Sequence, residues 1–192
     1  MRAMRLTPTS RTTESNTIAE TEDGNGWLRL PTVSLSAEYL VMGQLMRRNV
    51  LAYKAPPGNE GYDLICIHPD PRHRPRAGQL AQVRIQVKSR YSTDCNLSFP
   101  VKARTLDAFE FLVVAFLNIG NFGGGRDGTT GAKPTEFYTL SRSFIRRHHD
   151  TSSSWEKVHL HGLKSKIEKY KDEEGFEQIA QALGVPRPRR LP

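Results

Sequence analysis

Cysteine is scarce in this chain: there are two, Cys66 and Cys95. They match no zinc-ligand spacing and are too few for a disulfide framework, so each is expected as a buried or neutral filler in a reducing compartment. Long apolar runs are also missing. The longest lies around Phe111 to Leu117, too short to cross a bilayer. The N-terminal MRAMRLTPTSRTTESNTIAETEDGNG carries two arginines with no apolar stretch after them, so neither a signal peptide nor an anchor is expected there. A cytoplasmic protein without a membrane partner is expected. No internal repeat is visible. A glycine-rich segment at 120–134 has five glycines between Gly120 and Gly128 but lacks the Lys-Ser/Thr ending of a phosphate-binding P-loop, so it reads as a loop.

Positive charge is in excess. A net charge of +8 and a pI near 9.7 suit a partner rich in phosphate, because neutralising phosphates releases condensed counterions. A merely basic surface explains the charge equally well. The basic residues cluster at Arg72, Arg74 and Arg76, at Arg146 and Arg147 followed by two histidines, and in the tail at Arg187, Arg189 and Arg190. Three such patches could flank a groove.

The length of 192 residues suits one domain. Residues 1–30 are rich in Ser, Thr, Glu and Asn with few large apolar groups and read as a flexible arm. Residues 31–184 form the expected domain, and 185–192 a basic tail. Glu38, Val41, Met42 and Leu45 share one helical stripe, in a helix expected to run from Ser34 to about Asn49. Strands are expected at Val50–Lys54, Tyr62–Ile67 and Leu80–Ser89, with a basic Pro-rich turn at 68–79 joining the last two as an antiparallel pair. Leu80–Ser89 alternates, placing Val83, Ile85 and Val87 on one face and Gln82, Arg84, Gln86 and Lys88 on the other. Further strands are expected at Asn96–Val101, Phe109–Leu117, Glu136–Leu140 and Val158–His161, the second of these central and buried on both faces and the last at an edge. Ser141 should cap a helix to His149, and a polar helical region from Leu163 to Leu183 should close the fold. The order implies an α/β fold, a mixed sheet with helices against it.

Because strand side chains alternate, Gln86 and Lys88 project to one face, and the Val87 carbonyl between them can join a coordination shell of hard oxygen ligands with Asp63 across the hairpin. Such a set suits phosphodiester cleavage, which needs a divalent ion to polarise phosphate and acidify water, and a cation near the developing charge. Bland readings stand beside each residue. Glu38 suits the first turn of a helix dipole, Asp63 a strand end, and Gln86 with Lys88 a solvated strand face. His148, His149, His159 and His161 read as surface histidines, since no carboxylate or cysteine follows at a ligand spacing. Trp27 and Trp155 read as capping or core residues, with stacking on bases the alternative.

YDL followed after a loop by IQVKS resembles the Asp…(Glu/Gln)-x-Lys signature of the PD-(D/E)XK nuclease superfamily. Glu38 on a helix before the first strand is similar to its Holliday-junction-resolvase and restriction-like branches. The likeness runs from about Ser34 to Leu117, and the later EFYTLS strand and its helix also resemble members. It implies a restriction-endonuclease-like mixed sheet flanked by helices, a Mg²⁺ or Mn²⁺ site, and DNA as substrate. In that frame Asp63, Gln86 and the Val87 carbonyl hold the metal, Glu38 binds it through water, and Lys88 orients or activates the attacking water. Arg72, Arg74, Arg76, Arg90 and Lys102 contact phosphates. Many relatives cut both strands as dimers, which makes a homodimer compatible. Position 86 departs from the commoner Glu, replacing a charged ligand with a neutral amide as in some intron-encoded homing endonucleases, and Tyr62 stands where a Pro is usual. Two alternatives follow: a nuclease-fold protein with a crippled metal site that binds nucleic acid or organises an assembly, and a basic adaptor that contacts protein alone.

Overall fold

The computed structural model describes residues 32–93, 97–120, 131 and 133–187. The arm at 1–30, Trp27, Cys95, the glycine-rich stretch 121–130, Arg189 and Arg190 lie outside the described residues. The first element is α1 (Thr32–Met46), which buries Ala37, Val41 and Leu45 one turn apart. It ends because Asn49 adopts a left-handed φ of 61°, a conformation Asn tolerates. Asn49 N–H then donates to the Met46 carbonyl and Val50 N–H to that of Leu45, the paired closure that satisfies the last carbonyls of a helix.

Five strands form the main sheet: β1 (Leu51–Lys54), β2 (Leu64–Ile67), β3 (Gln82–Arg90), β5 (Phe111–Phe116) and β6 (Glu136–Ser141), in the spatial order β1-β2-β3-β5-β6. All neighbours are antiparallel except β3 and β5, which run parallel, Ile85 opposite Phe111 and Arg90 opposite Phe116. A parallel pair needs a crossover. Here it contains β4 (Ser98–Pro100) and a 3-10 turn at Ala103–Thr105. Every residue of β5 is buried, as expected for a strand covered on both faces.

The two faces carry separate cores. On one, α1 and α4 (Asp172–Ala182) pack on Ala52, Leu64, Cys66, Val83, Ile85, Val87, Val113 and Ala115. Cys66 is fully buried, and burial pushes its thiol up to about 12, so the sequence expectation of an inert filler fits. Arg48 fastens the two helices, pairing with Glu173 and lying over the Phe176 ring. On the other face, Leu112, Val114, Tyr138 and Leu140 meet Phe99, Val101, Leu106, Phe144 and Val158. Val158 belongs to β8 (Lys157–His159), the middle strand of a small sheet with β4 and β7 (His149–Asp150). The sequence expected an edge strand at Val158–His161. It is instead flanked on both sides, by β4 and β7, which are too short to carry an alternation legible in the sequence.

Ser141 caps α2 (Arg142–Arg147), its hydroxyl accepting from Phe144 N–H at 3.3 Å. The expected continuous terminal helix is broken into α3 (Lys164–Ile167), a 3-10 turn at Glu168–Tyr170 and α4. The break falls where Lys171 is extended and Asp172 takes a φ of 44°, its carboxylate accepting from Phe137 N–H. One close approach fixes α4. A Cβ on Gly175 would lie 2.2 Å from the Tyr170 carbonyl oxygen and 3.0 Å from Thr139 Oγ1. Gly175→Ala is therefore expected to cost about 2 kcal/mol or more, read as a lower urea midpoint at unchanged slope. No helix among the described residues is long and apolar enough to cross a membrane.

Candidate functional site

Gln86 and Lys88 lie on the face of β3 opposite α1. Their strand neighbours Val83, Ile85 and Val87 belong to the α1 core, and their partners across the parallel pair, Leu112 and Val114, to the other. Sequence alternation placed them correctly on one face.

Asp63 sits just before β2 and is tied to both neighbouring strands. Its N–H donates to the Ile85 carbonyl at 2.8 Å, and its carbonyl accepts from Ala55 N–H at 2.8 Å. Its Oδ2 accepts from Val87 N–H at 2.7 Å. Because β2 pairs with β3 only as far as Leu64 opposite Ile85, the Asp63 side chain takes the place of a ladder partner for Val87. In a strand the N–H and C=O of one residue point the same way. The Val87 carbonyl therefore also faces this side, beyond the end of β2.

Gln86 Oε1 is buried and accepts no hydrogen bond among the described residues. An amide oxygen left this way costs about 1–3 kcal/mol, so it marks either a defect or a place for a donor or cation. Lys88 is shifted below the ordinary lysine range, chiefly by desolvation, with Arg90 adding repulsion and the nearby Asp63 opposing. A carboxylate, an unsatisfied amide oxygen, a strand carbonyl and a desolvated ammonium thus gather at the open edge of β3. The three oxygens are hard donors of the kind Mg²⁺ takes, with one formal negative charge among them. No three His, Cys, Asp or Glu side chains come together as a metal cluster among the described residues.

Glu38 is placed differently. It pairs with Lys54, whose register partner Leu64 lies in the α1 core. Glu38 and the Gln86–Lys88 pair thus approach from opposite faces, and no hydrogen bond links Glu38 to Asp63 among the described residues. The Lys54 pairing was invisible in the sequence, since nothing local joins the two positions.

The expected phosphate contacts also separate. Arg72, Arg74 and Arg76 are exposed on the β2–β3 turn, at the opposite end of that hairpin from Asp63, and Arg72 pairs with Asp70 at 3.1 Å. Arg90 is drawn inward, donating to the Ser98 carbonyl at 2.6 Å over the Phe99 ring, where it holds β4 against β3. Lys102 is exposed beside the 3-10 turn. That turn leads to Ala108, against which Gly61 packs so closely that a Cβ would lie 2.5 Å from the alanine's own. Arg104 on the same turn pairs with Glu60 at 3.2 Å, a tie between the crossover and the loop before Asp63 that the sequence reading missed. Arg84 pairs with Glu110 at 2.7 Å, bracing β3 against the start of β5.

Of the histidines, His161 is exposed, while His159 bridges Ser98, at 2.7 Å, and Asp150, at 3.3 Å. His149 reaches the Val101 carbonyl at 2.6 Å. Both stitch the small sheet. Trp155 is 63% exposed, so it is neither a core nor a capping residue. No family model matches this sequence, and no curated protein or solved structure matches it.

Proposed function

We propose that the chain is a metal-dependent endonuclease acting on DNA, with its centre at the open edge of β3. The observation that carries the reading is the buried, unpartnered Gln86 Oε1 beside an Asp63 carboxylate already fixed by Val87 N–H. Asp63, Gln86 and the Val87 carbonyl would hold Mg²⁺ or Mn²⁺, while Glu38, paired with Lys54 on the opposite face, stands apart from them. When bound, the ion supplies Lewis acidity toward phosphate and water. The chain's own residues do the rest. The Asp63 carboxylate, fixed by Val87 N–H, limits reorganisation of the site, and partial burial desolvates Lys88. The desolvated Lys88 ammonium stands ready to neutralise charge developing on the phosphate. Its lowered pKa also brings it closer to exchanging a proton with water at working pH.

A second reading is favoured by the charge count: with Gln86 neutral, one carboxylate faces the edge, and a nuclease-fold module that binds DNA without cutting it would look the same. The deciding experiment incubates supercoiled, linear, single-stranded and branched DNAs with the protein in Mg²⁺, Mn²⁺ or EDTA, alongside Asp63→Asn. Metal-dependent nicking by the wild type, lost in the variant, is expected. DNA binding by both with cutting by neither would overturn the catalytic reading in favour of the module.

A further inference from the structure

The basic cluster Arg146, Arg147, His148 takes no part in the site described above. Arg146 is spent internally, in an ion pair with Asp107. Arg147 and His148 instead line a cleft of about 730 Å³, opposite Ser165, Lys166 and Lys169 on α3 and the following 3-10 turn. Phe144 and Tyr170 form its floor, ring to ring at 5.7 Å.

Charge in this cleft has one sign. Several cations elsewhere are matched: Arg48 with Glu173, Lys54 with Glu38, Arg84 with Glu110, Arg142 and Arg146 with Asp107, Lys171 with Glu136, Arg187 with Glu177. Arg147, Lys166 and Lys169 have no carboxylate partner among the described residues, and none lines the cleft. His148 registers the crowding, held below its ordinary pKa first by desolvation and then by Lys166 and Arg147. Lys169 Nζ lies over the Tyr170 ring at 5.0 Å, but bringing three cations and an imidazole to one concavity without a carboxylate costs Coulomb energy that a bound anion would recover. The volume lies in the range of small-ligand sites, about 300–1,000 Å³, large enough for a nucleotide unit rather than a point ion. Aromatic walls beside lysines and an arginine suit a nucleic-acid strand, whose phosphates meet the cations while a sugar or base meets the rings.

We infer that the cleft between α2 and α3 is a second nucleic-acid contact, holding the phosphodiester backbone of the strand whose cleavage is proposed at β3. Phe144 on α2 and Tyr170 on the 3-10 turn both pack on the core covering the Gln86–Lys88 face, so the cleft and the site lie on the same side of the sheet, β5 and β6 between them. The inference rests on the proposed function for its substrate, but not on Asp63 or Gln86 being competent.

The test compares the binding of a fluorescently labelled short duplex by wild type, Lys166→Gln/Lys169→Gln, and a control of equal charge loss, Arg47→Gln/Lys157→Gln, across a salt series, with cleavage in Mg²⁺ or Mn²⁺ read on the same duplex. Circular dichroism confirms folding of each. If the cleft holds two phosphates through these lysines, the double variant loses roughly tenfold or more in affinity, and its slope of log affinity against log salt flattens by about 1.8, the control changing far less. Binding by the double variant equal to the control overturns the cleft and leaves the nuclease reading intact if wild type cuts. Cleft-dependent binding without cutting keeps the cleft and discards catalysis. Absence of DNA binding by wild type discards both.

Discussion

Lys88→Met is expected to lower metal-dependent cleavage by about 10²–10³-fold while making the metal-free protein more stable by roughly 0.5–2 kcal/mol. Both effects come from one cause. Lys88 is desolvated, and the penalty outweighs the attraction of Asp63. A lysine whose pKa is lower in the folded than in the unfolded state weakens the fold wherever it is protonated in both. The penalty is therefore full below the folded pKa, shrinks as pH rises from there toward the ordinary value, and vanishes above it. The gain from methionine should accordingly be largest at neutral pH and fade on the alkaline side. Thermal melts of wild type and variant across pH check this, with a midpoint rise of a few degrees expected at neutral pH. Equal melting at neutral pH would mean that Lys88 finds more solvent than the geometry gives it, and retained cleavage would remove it from the reaction.

The second large effect is expected at position 86. Gln86→Glu adds a carboxylate where an unpartnered amide oxygen is buried, beside the fixed Asp63. Without metal, a second buried negative charge should destabilise the protein. With Mn²⁺, affinity should rise about tenfold, since ligand charge sets the strength of oxygen sites. Titration calorimetry with Mn²⁺, paired with melts in Mn²⁺ and in EDTA, separates the two. Gln86→Leu supplies the opposite arm: removing the unsatisfied oxygen should stabilise the metal-free chain by about 1 kcal/mol and abolish any response to Mn²⁺. If neither wild type nor Gln86→Glu responds to the ion, the site is not a metal site.

The period-two pattern of Gln82–Arg90 was legible because β3 is long and central, with one face in a core and the other carrying Gln86 and Lys88. Residues 111–116 were equally readable as a buried strand, although their parallel pairing to β3 has no local signature. The small sheet was not legible as a sheet. Strands of two or three residues such as His149–Asp150 and Ser98–Pro100 offer no period, and only the fold sets them side by side. The same limit hid the Glu38–Lys54 pair and the α2–α3 cleft, whose cations come from segments nearly twenty residues apart in sequence. The break in the terminal helix turns on the backbone of Asp172, which no hydrophobic pattern encodes. Arg90 was read from its charge as a phosphate contact, and its guanidinium donates to the Ser98 carbonyl, a tertiary bond that no local pattern announces.

The parallel register of β3 and β5 also bears on how the chain folds. β1, β2 and β3 are consecutive antiparallel strands and can zip as hairpins, on the scale of microseconds. That step alone brings Asp63 to Ile85 and Val87. β5 can join only after the long crossover has closed, a slower event because the loop entropy is lost before the contacts form. Asp63 and the Val87 N–H should thus meet early, on a naked hairpin, and Lys88 should lose its water last, when β5 and the crossover arrive.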